Sequence, residues 1–360
     1  MKITPIQALI PKKDVVTDIN TFFKSVKEEF TTGLKDTFFD LQDSNNYYLY
    51  QIKSEDSSSI GLVCQIDRTS ILENKILKHE QIIKEKSELL QGFIKQSGAM
   101  TKPIMTFHQN DEFLLQKYHE IIHGSAPIFQ IKIGEEHHEI YKITDPITIN
   151  AIESRFESII PDAFIADGHH RFDSMQNILE ENENIEGIVV VLFGANQIKV
   201  EPYNKLILGL SMAESDALKA QFDKIGKLTS LTSMSLPKYP HEITLLLGNQ
   251  AFLLELTADI LKKYQVHKLP IIDLEVLSKE IFSEVLALEM DDQKIMHLNK
   301  SQTQDFISAP NEIGTCLFCF YPVDILDIIK VSRMGMVLPP KSTWFEPKVR
   351  SGIIVGNFHE

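Results

Sequence analysis

The stretch DAFIADGHHRFDSMQNILEE, residues 162–181, decides how the chain is read. Ala163 to Ala166 form a short apolar run, the length of a buried strand, and Asp167 closes it. Gly168 then allows a tight backbone turn. Beyond it Phe172, Met175, Ile178 and Leu179 recur at helical spacing, so the segment reads strand, turn, helix. GIVVVLFGA, residues 187–195, is apolar without alternation, the mark of a strand covered on both faces.

Working outward, YYLYQI (47–52) and IGLVCQI (60–66), joined by polar residues, predict a hairpin, and IFQIKI (128–133) with HHEIYKI (137–143) a second one. PIMTF (103–107) predicts a strand. Helical spacing marks Ser70–Ser97 as one or two amphipathic helices, Asp111–Ile122 as another, and Pro146–Ile160 as a helix entered through Asp145-Pro146. Beyond Leu210 come a helix around Asp216–Phe222, strands at 243–248 and 251–256, a helix from Ile272, a strand at 315–323 and a helix at 324–335. The fold class is α+β, with mixed sheets and packed helices. A boundary between residues 209 and 210 gives two domains, 1–209 and 210–360, with the C-terminal PPKSTWFEPK segment returning to the site.

Composition limits the function classes. The 360 residues are 43% apolar and 24% charged, an ordinary globular balance, and 50 acids against 36 bases leave a net charge of −14. That charge disfavours nucleic acid and anionic membrane as general partners. No apolar run reaches the roughly 18 residues of a membrane span. Cys64, Cys316 and Cys319 are too few for a disulfide framework and fit free thiols in a cytoplasmic protein. Cys316 and Cys319 form a single CxxC on a strand, where residues three apart point to opposite faces, so zinc is not expected there. P-loop, GxGxxG, GxSxG and HExxH motifs are missing from the sequence. The oligomeric state is not legible.

Asp167-Gly168-His169-His170-Arg171 is the main chemical candidate. A helix N-terminus attracts anions, an arginine reinforces it bidentately, and a histidine can donate to a phosphoryl oxygen or move a proton. The same residues also suit a plain N-cap and turn, with surface histidines and Arg171 paired to Asp173 or Glu180. A metal reading needs further ligands. Lys78-His79-Glu80 is a second candidate: Glu80 suits a general base, or the run is a solvated helix face. In LPPKSTWFEPK, residues 338–348, the prolines predict an extended segment presenting Lys341, Ser342 and Thr343 to an anion, while Trp344 and Phe345 suit a strand that seals the core.

FIADGHHRF, KHEQIIKEK, VEPYNKLILG and MVLPPKSTWFEPKVRSGIIV, in that order, resemble domain-of-unknown-function family 1015 from about Tyr47 to Val355. Two departures stand out. ALIPKKDVV replaces the family's proline-rich PPYDV block, and PYNK (202–205) replaces a PTHR-like text, putting Asn204 and Lys205 where a histidine and an arginine are usual. Over some thirty residues the strand–DGHHR–helix unit also resembles the ParB/sulfiredoxin superfamily, which includes free-serine kinases with a catalytic glutamate upstream. The resemblance implies a nucleotide-dependent phosphotransferase acting on a small hydroxyl metabolite such as free serine. Glu80, Asp167 and His170 would be catalytic. Gly168, His169, Arg171, Lys341, Ser342 and Thr343 would bind phosphate or nucleotide, with His79, Asn204 and Lys205 as further candidates. The implied cofactor is a nucleotide with Mg²⁺, with Asp167 a candidate metal ligand, and no flavin, haem or zinc is expected. The implied partner is a small anionic molecule. The alternatives are a non-catalytic protein that binds a nucleotide or phosphometabolite for regulation, and a phosphohydrolase.

Overall fold

A computed structural model of the chain describes residues 1–13, 16, 19–28, 30, 32–42, 45–265, 269–290, 292–309 and 314–358. They form two compact units. The first comprises Met1–Lys78, Ile82–Lys199 and Pro347–Glu360, and the second His79–Gln81 and Val200–Glu346. The division therefore falls at Lys199/Val200 rather than at 209/210, because the strand that follows Tyr203 pairs within the second unit's sheet. Both units are mixtures of helices and β-sheets, as α+β predicts.

The first unit is built on a nine-stranded sheet. Its main strands are β1 (Tyr47–Lys53), β2 (Ser58–Asp67), β3 (Ile76–Leu77), β4 (Ile104–His108), β5 (Phe129–Ile133), β6 (Glu136–Ile143), β7 (Ala163–Asp167) and β8 (Gly187–Gly194), in spatial order 3-7-4-8-2-1-6-5. The two expected hairpins are present, β1 with β2 and β5 with β6. The unbroken apolar run of β8 has its reason in this order: the strand runs parallel to β4 and antiparallel to β2, and Ile188 to Phe193 are wholly buried. The helices are α1 (Lys84–Ser97), α2 (Glu112–Gly124), α3 (Pro146–Ile159) and α4 (His169–Glu181). Asp111 and Asp145 cap α2 and α3 through their side chains.

The span Ser70–Ser97 departs from its helical expectation. Arg68–Leu72 is a short helix, Ile76 and Leu77 form β3 against β7, and a regular long helix begins only at Lys84. Pairing with a neighbouring strand outweighs the local helical spacing of Leu72 and Ile76.

The second unit holds a six-stranded antiparallel sheet of β9 (Asn204–Ile207), β10 (Gly226–Leu231), β11 (Glu242–Leu247), β12 (Gln250–Leu256), β13 (Ile295–Leu298) and β14 (Cys316–Phe320), in order 10-12-11-14-9-13. α5 (Met212–Ile225) and α6 (Ile325–Arg333) complete the elements needed here, with β15 (Thr343–Glu346) paired to the strand Lys199–Pro202. The helix expected from Ile272 is present but changes register at Ser278, where a π-helical turn runs to Ser283. Among the described residues no helix is long and apolar enough to cross a membrane.

Candidate functional site

In the first unit, the strand–turn–helix reading of DGHHR holds. β7 pairs antiparallel with β4, and its register shifts between Ile165 and Asp167, an irregularity that re-aims the last side chain of the strand. Gly168 follows with φ +106°, and α4 begins at His169. Glycine is required twice over: an L residue rarely takes that φ, and a Cβ there would lie 2.6 Å from Arg171 Nη2.

Arg171 does not reach outward, and pairs with neither Asp173 nor Glu180. It folds back so that Nη2 donates to Asp167 Oδ2 at 2.7 Å and Nη1 to the Lys102 carbonyl at 3.1 Å. Asp173 is held by Lys78 instead, and Glu180 accepts from Gln176. Lys102 Nζ donates to the same Asp167 Oδ2 at 2.9 Å, and Lys348 Nζ stands 3.8 Å from Oδ1. Three cations thus converge on one carboxylate at the start of a helix. Burial alone would push the Asp167 carboxyl up, but Arg171, Lys102 and Lys348 together hold it well below the usual carboxylate range. Burial, followed by the repulsion of Arg171, lowers the Lys102 ammonium to about 8.

The two adjacent histidines diverge, as side chains one residue apart on a helix must. His169 is buried, while His170 is half-buried and its Nε2 accepts from the Ile83 backbone N–H at 3.1 Å. Ser174 reinforces that junction by donating to the Ser87 carbonyl. The start of α4 is therefore fastened to the start of α1.

The second unit gathers the other candidates. Leu338 bridges to Glu80 in parallel fashion, with the Leu338 N–H donating to the His79 carbonyl at 2.8 Å. Lys341 N–H approaches Glu80 Oε1 at 3.4 Å. The segment is not simply extended as its prolines suggest: it turns at Pro340–Lys341, and Lys341 takes φ +56°. Ser342 donates to the Pro339 carbonyl at 2.5 Å. Thr343 Oγ1 lies 3.3 Å from His79 Nε2, so both hydroxyls already serve the local turn and strand. Complete burial lowers the His79 imidazole to about 4 and keeps it neutral. Phe345 is buried, and Trp344 packs edge-on against Tyr203. Asn204 is a pin between elements: its amide donates to Thr303 Oγ1 at 2.9 Å and accepts from the Phe320 N–H at 3.1 Å. Lys205 is completely buried, its Nζ donating to the Lys341 carbonyl at 2.7 Å.

The CxxC thiols are buried, and burial pushes Cys316 above the ordinary thiol range and Cys319 up to about 12. On β6, His137 is exposed and His138 is completely buried, its Nδ1 2.9 Å from the Tyr50 hydroxyl.

The residues present do not fit a protein-held Mg²⁺. Magnesium takes oxygen ligands, and Asp167 offers the one carboxylate of its cluster with both oxygens facing ammonium or guanidinium groups. Among the described residues no group of three or more His, Cys, Asp or Glu side chains converges. The residues that sequence reading missed are Lys102 and Lys348. The first has no local signal. The second lay within the PPKSTWFEPK block, overshadowed by Lys341.

These blocks define a family. The chain belongs to the protein family of unknown function DUF1015, whose model matches residues 8–277. No curated protein sequence matches it significantly. Among solved structures, it is similar to SbnI with a C-terminal truncation from Staphylococcus aureus, with TM-score 0.45 and 12% identity over 80% of this chain and 84% of that one. It is also similar to a conserved hypothetical protein from Pyrococcus furiosus, with TM-score 0.40 and 14% identity over 77% and 90%. A free serine kinase in complex with AMP gives TM-score 0.38 and 14% identity over 78% and 89%. At these scores the likenesses assign no activity.

Proposed function

We propose that the protein is a nucleotide-dependent phosphotransferase acting on a small hydroxyl metabolite. The observation that carries this reading is the convergence of Lys102, Arg171 and Lys348 on the single carboxylate of Asp167 at the first turn of α4. A fold gains little from such an arrangement, since taking charges out of water costs more than imperfect pairing returns. A multiply charged phosphate chain gains much from it, because the converging cations and the helix N-terminus act together.

Phosphoryl transfer asks the protein mainly for positioning and charge neutralisation. Lys102 and Lys348 are assigned to the phosphate oxygens, Arg171 and Gly168 to the shape of the turn, and Asp167 to drawing the cations together. His169 and His170 belong to the same turn, and His170 is assigned to a phosphoryl oxygen. Magnesium is expected to arrive with the nucleotide's phosphates rather than on Asp167. Free serine is the first acceptor to test.

The test is calorimetric titration with ADP and an ATP-to-serine transfer assay followed by phosphorus NMR. Lys102→Met and Lys348→Met should each weaken ADP binding about tenfold or more, the scale of one charge-assisted bond. Binding without transfer to any hydroxyl compound would make the protein a nucleotide sensor. Release of phosphate without an acceptor would make it a phosphohydrolase. ADP affinity indifferent to both lysine substitutions would overturn the assignment of the site.

A further inference from the structure

Lys205 carries three costs that the fold does not explain. It is the one lysine or arginine that is completely buried among the described residues, and its ammonium has the Lys341 carbonyl and the Tyr203 ring as partners rather than a carboxylate. The charge closest to it in effect is a like one. Lys341 Nζ lies 5.5 Å from the centre of the Tyr203 ring, and Lys205 Nζ lies 5.7 Å from the same centre. Finally, the residue whose carbonyl Lys205 holds is itself strained, for Lys341 has a left-handed backbone that glycine would adopt freely. A buried amine, a like-charge pair and a non-glycine residue in the left-handed region, all in one place, form a frustrated arrangement. Such frustration persists where a ligand relieves it.

We propose that the second unit holds an oxyanion site in which a small carboxylate or tetrahedral oxyanion docks on the exposed Lys341 ammonium and binds together with a proton taken up by the buried Lys205. The site lies wholly within that unit and does not depend on the phosphotransferase reading. Lys205 need not touch the ligand: its charge is coupled to that of Lys341, and its hydrogen bond fixes the carbonyl that sets the Lys341 turn.

The surroundings of Lys205 favour this coupling. Burial, and then Lys341, lower its ammonium to about 7, against a longer-range pull from Glu80. On β13 the residue directly opposite is His297, which burial, then Lys205 and Lys341, lower to about 4, so it stays neutral. On β14 the opposite residue is Phe318, which carries no charge. Above neutral pH the empty site therefore holds Lys205 largely as the amine. An anion bound at Lys341 restores the favourable partner and draws a proton in.

The test uses the full chain, weakly buffered at pH 7.5 and at constant ionic strength, with a pH indicator dye. Sodium acetate and sodium sulfate are added separately, neither of which buffers at that pH, and sodium chloride is the control. Uptake of up to one proton per chain is expected with acetate, with sulfate or with both, and the responding arm identifies the oxyanion class. The uptake should vanish below about pH 6, where Lys205 is already charged. Lys205→Arg, which stays charged at every accessible pH, should keep anion binding and abolish the uptake, while Lys341→Ala should abolish both. No uptake with either anion, or uptake unchanged in Lys205→Arg, overturns the proposal. The same uptake is measured in the Lys102→Met variant, which removes the titrating lysine of the first unit's phosphate cluster and should keep the uptake at Lys205, so failure of one site is told apart from failure of the other.

Discussion

Replacing Gly168 by alanine tests the physical basis of the turn at DGHHR. An added Cβ would sit 2.6 Å from Arg171 Nη2 and 3.0 Å from both Cζ and Nε, closer than carbon and nitrogen approach without one of them moving. The backbone φ of +106° is an added burden, of roughly 1–3 kcal/mol for an L residue held in such a region. If the guanidinium yields instead, it loosens its bond to Asp167, and a charge-assisted hydrogen bond contributes roughly 1.5–3 kcal/mol. A destabilisation of ~3 kcal/mol is therefore expected, which lowers the melting temperature of a unit of this size by roughly 6–12 °C. The assay is thermal unfolding of four proteins, wild type, Gly168→Ala, Arg171→Lys and the double variant. Because the slimmer lysine head removes the clash but not the backbone strain, the alanine should cost at least ~1 kcal/mol less in the Arg171→Lys background. A melting temperature within about 2 °C of wild type, or costs that add within ~0.5 kcal/mol, would refute the account of the turn.

Further outcomes follow from the same contacts. Asp167→Asn should destabilise the first unit by about 3–5 kcal/mol, the cost of leaving buried charges unpartnered. It should nonetheless tighten inorganic phosphate, because three cations then act without a competing carboxylate; weaker phosphate binding in calorimetry would contradict this. The depressed Lys102 sets a pH signature. The unfolded chain keeps that proton up to about 10.5 and the folded chain only to about 8, so the unfolded state binds more protons in between and stability rises with pH over that window. Phosphate affinity falls over the same window as the cation is lost; Lys102→Met should flatten that trend in phosphate titration and lessen the rise in chemical denaturation, leaving the part that the buried Lys205 contributes by the same linkage. The rise should reverse above about pH 10, where buried Tyr50, whose hydroxyl burial pushes well up, favours the unfolded chain. Asn204→Ala should cost about 1–3 kcal/mol in urea denaturation, since it strands the Phe320 N–H in the interior; a smaller loss would mean the bond is not holding β9 to β14.

What could be read from the sequence was whatever is local. Strand, glycine turn and helix at 163–181 are fixed by near neighbours, and so were the two hairpins, the aspartate caps and the solid apolar run of β8. Ser70–Ser97 misled because helical spacing is also local, whereas the strand at Ile76–Leu77 exists only through its partner Ala163–Phe164, almost ninety residues on. The inward turn of Arg171 had a signal that went unused, since Asp167 and Arg171 are four apart and face each other across the first helical turn. The prolines before Lys341 restricted their own backbone but said nothing of the residue after them, which turns because Lys205 holds its carbonyl.

The charge of the candidate site was the least legible feature, and sheet order is the reason. Lys102 stands beside Asp167 only because β4 lies next to β7, and Lys348 only because the last residues of the chain return to the first unit. Neither fact is encoded within hydrogen-bonding distance along the chain. In this chain the DGHHR pentapeptide makes a turn whose arginine is held by its own aspartate. Under the proposed function the phosphate contacts fall to the two lysines that topology adds, and they, rather than the conspicuous pentapeptide, would distinguish a phosphate site from a well-braced helix start.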